Sequence, residues 1–244
     1  MSSKRAGAQS ASGVLLLRRG EKRGFEVFLR RSSSTGGSRE IYRVPLGGLL
    51  QIDCSPRMIA RCAGLAGNQA RQILGAHLSP ARALGFWVAA VRALFEETGI
   101  LLAREESDAR LDWHERRAGV MARKREALLA GMLDFPSLLE AEALRCDLKS
   151  LAHFSHWLAE DQFSELRDTQ FFVTALPGGQ VRFAAGSECA DSLWLAPDDA
   201  LARFKRGALV TIFPIFASLR TLADFETIDA VLKEFFPERF TKGV

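Results

Sequence analysis

Apolar residues recur at helical spacing between positions 83 and 98, at Leu84, Val88, Val91, Leu94 and Phe95, and Gly99 follows them. A stretch with that period has to bury one face, so it predicts an amphipathic helix packed on a core and closed at its C-terminus by glycine. The rhythm on either side is different. Residues 13–18 and 25–31 read as strands joined by a polar turn around 20–24. Residues 171–176 form a third strand, ended by Pro177, Gly178 and Gly179. Ser192 to Ala196 is a fourth, leading into Pro197, Asp198 and Asp199, a proline-plus-acid helix start. Helical patterns occupy 120–132, 137–145 and parts of 200–236, with a break near Pro214. Strands, a helix, more helices and then strands predict an α/β (α+β) chain with α/β/α layers.

Bulk properties narrow the function classes. With 244 residues, 48% of them hydrophobic, the chain can build one substantial core or a core with a helical annex. A formal net charge of +4 suits phosphorylated ligands, but it forms no basic tract of the kind that follows a nucleic-acid backbone, so nucleic acid is not the expected partner. No apolar run is long enough to span a bilayer, and no membrane partner is expected. Cys54, Cys62, Cys146 and Cys189 form no CxxC pair, which favours free thiols and a cytoplasmic location over a zinc site or disulfide framework.

Chemistry concentrates in residues 92–100: Arg92, Ala93, Leu94, Phe95, Glu96, Glu97, Thr98, Gly99 and Ile100. Adjacent carboxylates in the last turn of a helix oppose its dipole, a cost that a cation or a base would offset. Hard oxygens clustered there suit Mg²⁺, which takes a few carboxylates together with water and substrate phosphates. Arg92 lies four residues before Glu96, on the same face, and can either orient the glutamates or form a plain surface pair. Gly47-Gly48 can be a simple turn or a place where backbone approaches a ligand.

The segment resembles the core of the Nudix box, G-x5-E-x7-R-E-U-x-E-E-x-G-U with U aliphatic, through Arg92, Leu94, Glu96, Glu97, Gly99 and Ile100, with Gly47-Gly48 as the preceding turn. The similarity extends over about 13–222. The strands at 14–17 and 27–32, the stretch 167–177 and the run from Glu188 to Pro197 resemble the Nudix branch related to CoA diphosphatases. This resemblance implies a Nudix-type α/β/α sandwich with a mixed sheet, plus a helical insertion and C-terminal helices. The expected organisation is a disordered tail over 1–12, one domain over 13–236 with insertions at 53–84 and 105–150, and a C-terminal tail over 237–244.

It also implies metal-dependent hydrolysis of a diphosphate linkage in a nucleoside diphosphate conjugate, with CoA or acyl-CoA favoured by the branch, and a homodimer. Glu96 and Glu97 would hold Mg²⁺ or Mn²⁺, and Glu188 would join Arg92, Glu96 and Glu97 in catalysis. Gly47, Gly48, Arg31 and Arg167 would contact the substrate, since arginine suits phosphate, although both arginines can equally face water. The departures are specific. About thirty more residues separate Gly48 from Arg92 than the box allows. Its first Glu has no clear counterpart, with Cys54 at the expected offset and Asp53 one residue early. Ala93 replaces the Glu that follows the box arginine, and a methyl group neither binds metal nor accepts a proton. The alternative is therefore a catalytically impaired Nudix-fold nucleotide-binding or regulatory protein. His153 and His156 lack a third metal ligand nearby and read as local packing beside Phe154 and Trp157.

Overall fold

The computed structural model describes residues 9–20, 24–33, 40–158, 166–180 and 192–236. Its strands are β1 Gln9–Arg19, β2 Phe25–Ser33, β3 Glu40–Arg43, β4 Leu46–Gly48, β5 Cys62–Ala63, β6 Ala103–Glu105, β7 Leu144–Asp147, β8 Ala152–Leu158, β9 Leu166–Ala175 and β10 Ser192–Leu195. Its α-helices are α1 Pro56–Ala60, α2 Gly67–Leu74, α3 Pro80–Thr98, α4 Glu115–Leu129, α5 Phe135–Ala141, α6 Pro197–Lys205, α7 Phe213–Leu222 and α8 Ile228–Phe235.

Alternation along β1 sets the layering. Val14 and Leu16 point into one apolar cluster and Leu15 and Leu17 into a second, because successive side chains of a strand leave opposite faces. The first cluster is filled by α3, through Phe86, Trp87, Val91, Leu94 and Phe95, and the second by Leu201, Leu219, Leu222 and Val231 from α6 to α8. The result is a mixed α/β fold in α/β/α layers, as the alternation of patterns predicts. The central seven-stranded sheet runs β10-β2-β1-β9-β8, with β3 added to β2 and β4 to β1. The β1–β9 pair is parallel and its neighbours are antiparallel. A second sheet, β5-β7-β6, gathers pieces of the intervening segments.

Helix α3 is specified at both ends. The Ser79 side chain accepts from the N–H of Arg82, Pro80 sits in the first turn, and Gly99 closes the helix in the left-handed region at φ 73°. Its interior is buried from Ala83 to Phe95, so a helix that reads as amphipathic is covered on nearly every side. The segment 53–84 supplies part of that cover through α1 and α2.

Three expectations shift. Strand β1 begins at Gln9, so residues 9–12 are paired and not part of a tail. Ala11 and Ser12 are fully buried, and Ser12 Oγ donates to the Phe86 carbonyl at 2.7 Å. Small side chains gave that segment no apolar signal. The helix predicted over 137–145 ends at Ala141, because Ala143 takes a positive φ of 51° and Leu144–Asp147 joins the small sheet. The histidines lie on β8. The His153 ring meets Trp87 and Phe172 and bonds Gln170 at 2.8 Å, while His156 reaches Asp168 at 2.8 Å. Both partner strand β9, not Phe154 and Trp157. The tails 1–8 and 237–244 lie outside the described residues.

Phe172 is fully buried with its ring 4.8 Å from Trp87. Phe172→Ala is expected to cost about 3–5 kcal/mol in urea unfolding, through the lost burial and the cavity left behind. Burial also holds the His153 pKa below the ordinary 6.5, only partly offset by its bond to Gln170. A histidine with a depressed folded pKa takes up its proton more readily when unfolded. Stability is therefore expected to fall as pH drops below 6.5, before carboxylates titrate at about 4. In His153→Gln, that part of the pH dependence should flatten.

Candidate active site

The site is organised around Arg92, whose side chain is only 6% exposed. A buried guanidinium needs acceptors in several directions, and each is supplied by a different element. Its Nε and Nη2 donate to the two carboxylate oxygens of Asp53 at 2.9 and 2.8 Å, a fork-to-fork pair. Nη2 also donates to the Gly48 carbonyl at 2.7 Å, and Nη1 reaches both oxygens of Glu96 at 3.0 and 3.1 Å. Burial pulls the Arg92 pKa down, but the hydrogen bond and charge of Asp53, helped by Glu96, outweigh it, and the value is raised. The arginine is an ordering centre and not a surface pair.

Asp53 is 1% exposed and lies in a 3₁₀ turn, Gln51–Cys54. Besides gripping Arg92, it accepts from the Leu50 N–H at 2.9 Å. Arg92 thus has a buried carboxylate partner. It is the aspartate one residue early, while Cys54, at the expected offset, carries a thiol whose pKa is raised chiefly by burial.

The two glutamates divide between different partners. Glu96 faces Arg92, and its carbonyl, with that of Phe95, accepts from Arg125 on α4, which caps the helix end. Glu97 turns toward the sheet. Its Oε1 accepts from Arg43 Nη1 at 2.7 Å. Its Oε2 is buried without a hydrogen bond among the described residues, with Arg30 Nη1 at 3.6 Å. Arg30 and Arg43 are direct cross-strand partners in the β2–β3 ladder. Like charges placed opposite each other destabilise a sheet, and Glu97 offsets that repulsion here.

The turn lies close against the helix. A side chain at position 47 would place its Cβ 2.7 Å from the Cβ of Ala93, which is 1% exposed, so Gly47 and Ala93 exclude larger residues from each other. At Gly48 the carbonyl is used, and a Cβ there would meet nothing.

The structure therefore brings Arg92, Glu96, Glu97, Gly47 and Gly48 together and adds Asp53, Arg30 and Arg43. Arg31 does not join them, since it pairs with Glu40 at 3.0 Å. Strand alternation puts Arg30, not its neighbour, on the face that meets Glu97. For Arg167 only the backbone is described, within β9, and Glu188 lies outside the described residues. Among the described residues there is no cluster of three or more histidine, cysteine, aspartate or glutamate side chains disposed to hold a metal. Both Glu96 oxygens accept from Arg92, and Glu97 Oε2 is buried and lacks a hydrogen bond among the described residues.

With this geometry in hand, comparison with solved structures is informative. The chain matches a crystal structure of a NUDIX hydrolase from Alicyclobacillus acidocaldarius with a TM-score of 0.63, covering 93% of this chain and 96% of that one at 20% identity. The fold is a Nudix fold. At that identity the likeness concerns architecture alone. No family model matches the chain, and no curated protein does. Within the Nudix fold observed here, α3 carries the box-like segment, β4 the glycine turn, and 3₁₀ residue Asp53 the arginine's partner.

Removing one member of a buried ion pair leaves the other uncompensated. Asp53→Ala is expected to destabilise the protein by about 3–5 kcal/mol in denaturant unfolding. Glu96→Gln should cost much less, because Arg92 keeps Asp53 and the Gly48 carbonyl.

Proposed function

We propose that this chain is a hydrolase of a diphosphate linkage in a nucleoside diphosphate conjugate, with Mg²⁺ or Mn²⁺ as its cofactor. The observation that carries the reading is the buried carboxylate of Glu97, with one oxygen lacking a hydrogen bond among the described residues, set among Arg30, Arg43 and the Leu46 N–H. An anionic oxygen without a donor, beside two arginines, is suited to a site where a cation and phosphate oxygens meet. Mg²⁺ commonly takes one or two carboxylates and completes its shell with water and substrate phosphates, and Glu97 with Glu96 fits that demand. Such an ion would neutralise diphosphate oxygens and supply an acidified water.

The chain's own residues have definable tasks. Arg92, held by Asp53, fixes Glu96 and the Gly48 carbonyl relative to each other. Arg30 and Arg43 would bind the non-bridging phosphate oxygens, where planar guanidinium suits paired acceptors. Proton acceptance is proposed for Glu188, as the family resemblance implies, because Ala93 offers no carboxylate. CoA and acyl-CoA remain the first substrates to try on the same ground, within a small-molecule class.

Ala93 also favours a second reading, a Nudix-fold binder impaired in turnover. Its methyl group fits under Gly47 in a space that a carboxylate would have to leave.

Incubation with Mg²⁺ or Mn²⁺ and CoA, acyl-CoA, ADP-ribose, NADH or a dinucleoside polyphosphate, followed by chromatography, should yield two phosphorylated fragments from at least one compound. Glu97→Gln is expected to lower the rate by roughly 100-fold or more. Binding without cleavage, with turnover appearing in Ala93→Glu, would establish the binder instead. If no compound is cleaved and none shifts the melting temperature, both readings fail.

A further inference from the structure

Arg30 on β2 and Arg43 on β3 are register partners whose side chains are 32% and 25% exposed, and both converge on Glu97. A pair of like charges in a ladder is unfavourable without an anion between them, and in this structure the anion is internal. Glu97 is 13% exposed and spends Oε1 on Arg43 and the Leu46 N–H, leaving Oε2 with no hydrogen bond among the described residues. Arg43 thus bonds the carboxylate directly, while Arg30 donates to the Glu97 backbone carbonyl at 3.4 Å and meets the carboxylate as an ion pair at 3.6 Å. An arrangement of this kind is ready to exchange partners.

We propose that Arg30 and Arg43 form a diphosphate-binding clamp for which Glu97 is the resident counter-ion, so that anion and divalent cation bind interdependently. The proposal rests on the reading of Glu97 as a metal ligand for its second half only. A cation drawn to Glu97 competes with the two guanidiniums for the same oxygens and is repelled by their charge. A diphosphate competes with Glu97 for the guanidiniums. When both arrive, Arg30 and Arg43 move to phosphate oxygens and Glu97 is left to the cation, so each ligand removes the other's competitor. The coupling has to be reciprocal, because it is a free energy shared between two sites. The ligand class that satisfies the clamp is a metal-bound diphosphate, whose charges replace both internal partners at once.

Calorimetric titration tests the two halves separately. In EDTA, inorganic pyrophosphate should bind Glu97→Gln at least tenfold more tightly than wild type, since neutralising the counter-ion frees the clamp. Arg43→Gln and Arg30→Gln should each weaken the same binding. With Mn²⁺ and methylenediphosphonate, either ligand should tighten the other at least tenfold in wild type. In Arg43→Gln, Mn²⁺ alone should bind more tightly than to wild type, and the mutual enhancement should shrink. Metal-free pyrophosphate binding that is unchanged in Glu97→Gln and in both arginine variants, each with a wild-type circular dichroism spectrum, overturns the clamp. Coupling that survives intact in Arg43→Gln shows direct metal–phosphonate contact alone and overturns the interdependence. Mn²⁺ binding that persists in Glu97→Gln instead defeats the metal-site reading and leaves the pyrophosphate result to stand.

Discussion

A guanidinium taken out of water is tolerated only when acceptors surround it, and Arg92 shows what that requirement does to a fold. Asp53 supplies two oxygens, Gly48 a carbonyl and Glu96 two more. Three separate pieces of chain, the 3₁₀ turn, β4 and the last turns of α3, are thereby fixed about one side chain. The glycine turn sits where it does because Arg92 takes its carbonyl, and Gly47 can approach α3 only because both it and Ala93 are small. Remaining features follow at one remove. With Glu96 committed to Arg92, Glu97 is the carboxylate left to face the sheet, where Arg30 and Arg43 receive it.

The layers themselves were legible because they rest on periodicity. Apolar residues at helical spacing gave α3, and the continuous apolar runs at 14–17 and 171–173 gave the strands whose two faces fill the two cores. Gly99 bounded α3 correctly at its C-terminal side, while the helix starts at Pro80, ahead of the first apolar repeat. The segment 92–100 was legible in its motif spacing, but the partners of its side chains were not. Asp53 was visible only as a near miss, since a spacing rule counts residues while a hydrogen bond requires only that a carboxylate reach. Arg30 was hidden for a different reason. Two consecutive arginines leave a strand on opposite faces, and Arg30 meets the helix because it shares the face of Phe28, which packs in the α3 core, a choice between two apolar faces that the run Val27–Leu29 does not reveal. The extended stretch at 144–147 was likewise decided by tertiary pairing, against a local pattern that reads as helix.

Charge counting ties the site to its chemistry. Three guanidiniums, from Arg30, Arg43 and Arg92, face three carboxylates, from Asp53, Glu96 and Glu97. The balance is uneven in depth. Arg92 and Asp53 are sequestered at 6% and 1% exposure, whereas Arg30 and Arg43 retain 32% and 25%. Salt and ligands exchange with the exposed members far more readily than with the buried pair. The inner pair is therefore scaffold and the outer group is the part able to change partners. A carboxylate at position 93 would have made this group net negative and biased it toward a lone cation. Alanine there removes that bias and leaves the outer arginines in balance with Glu97 and Glu96. In such a neutral setting a divalent cation or a polyanion alone creates an imbalance, and the two together restore it. Under the proposed clamp, the alanine at the position where the resemblance to the Nudix box is weakest is also what makes the remaining charges depend on each other.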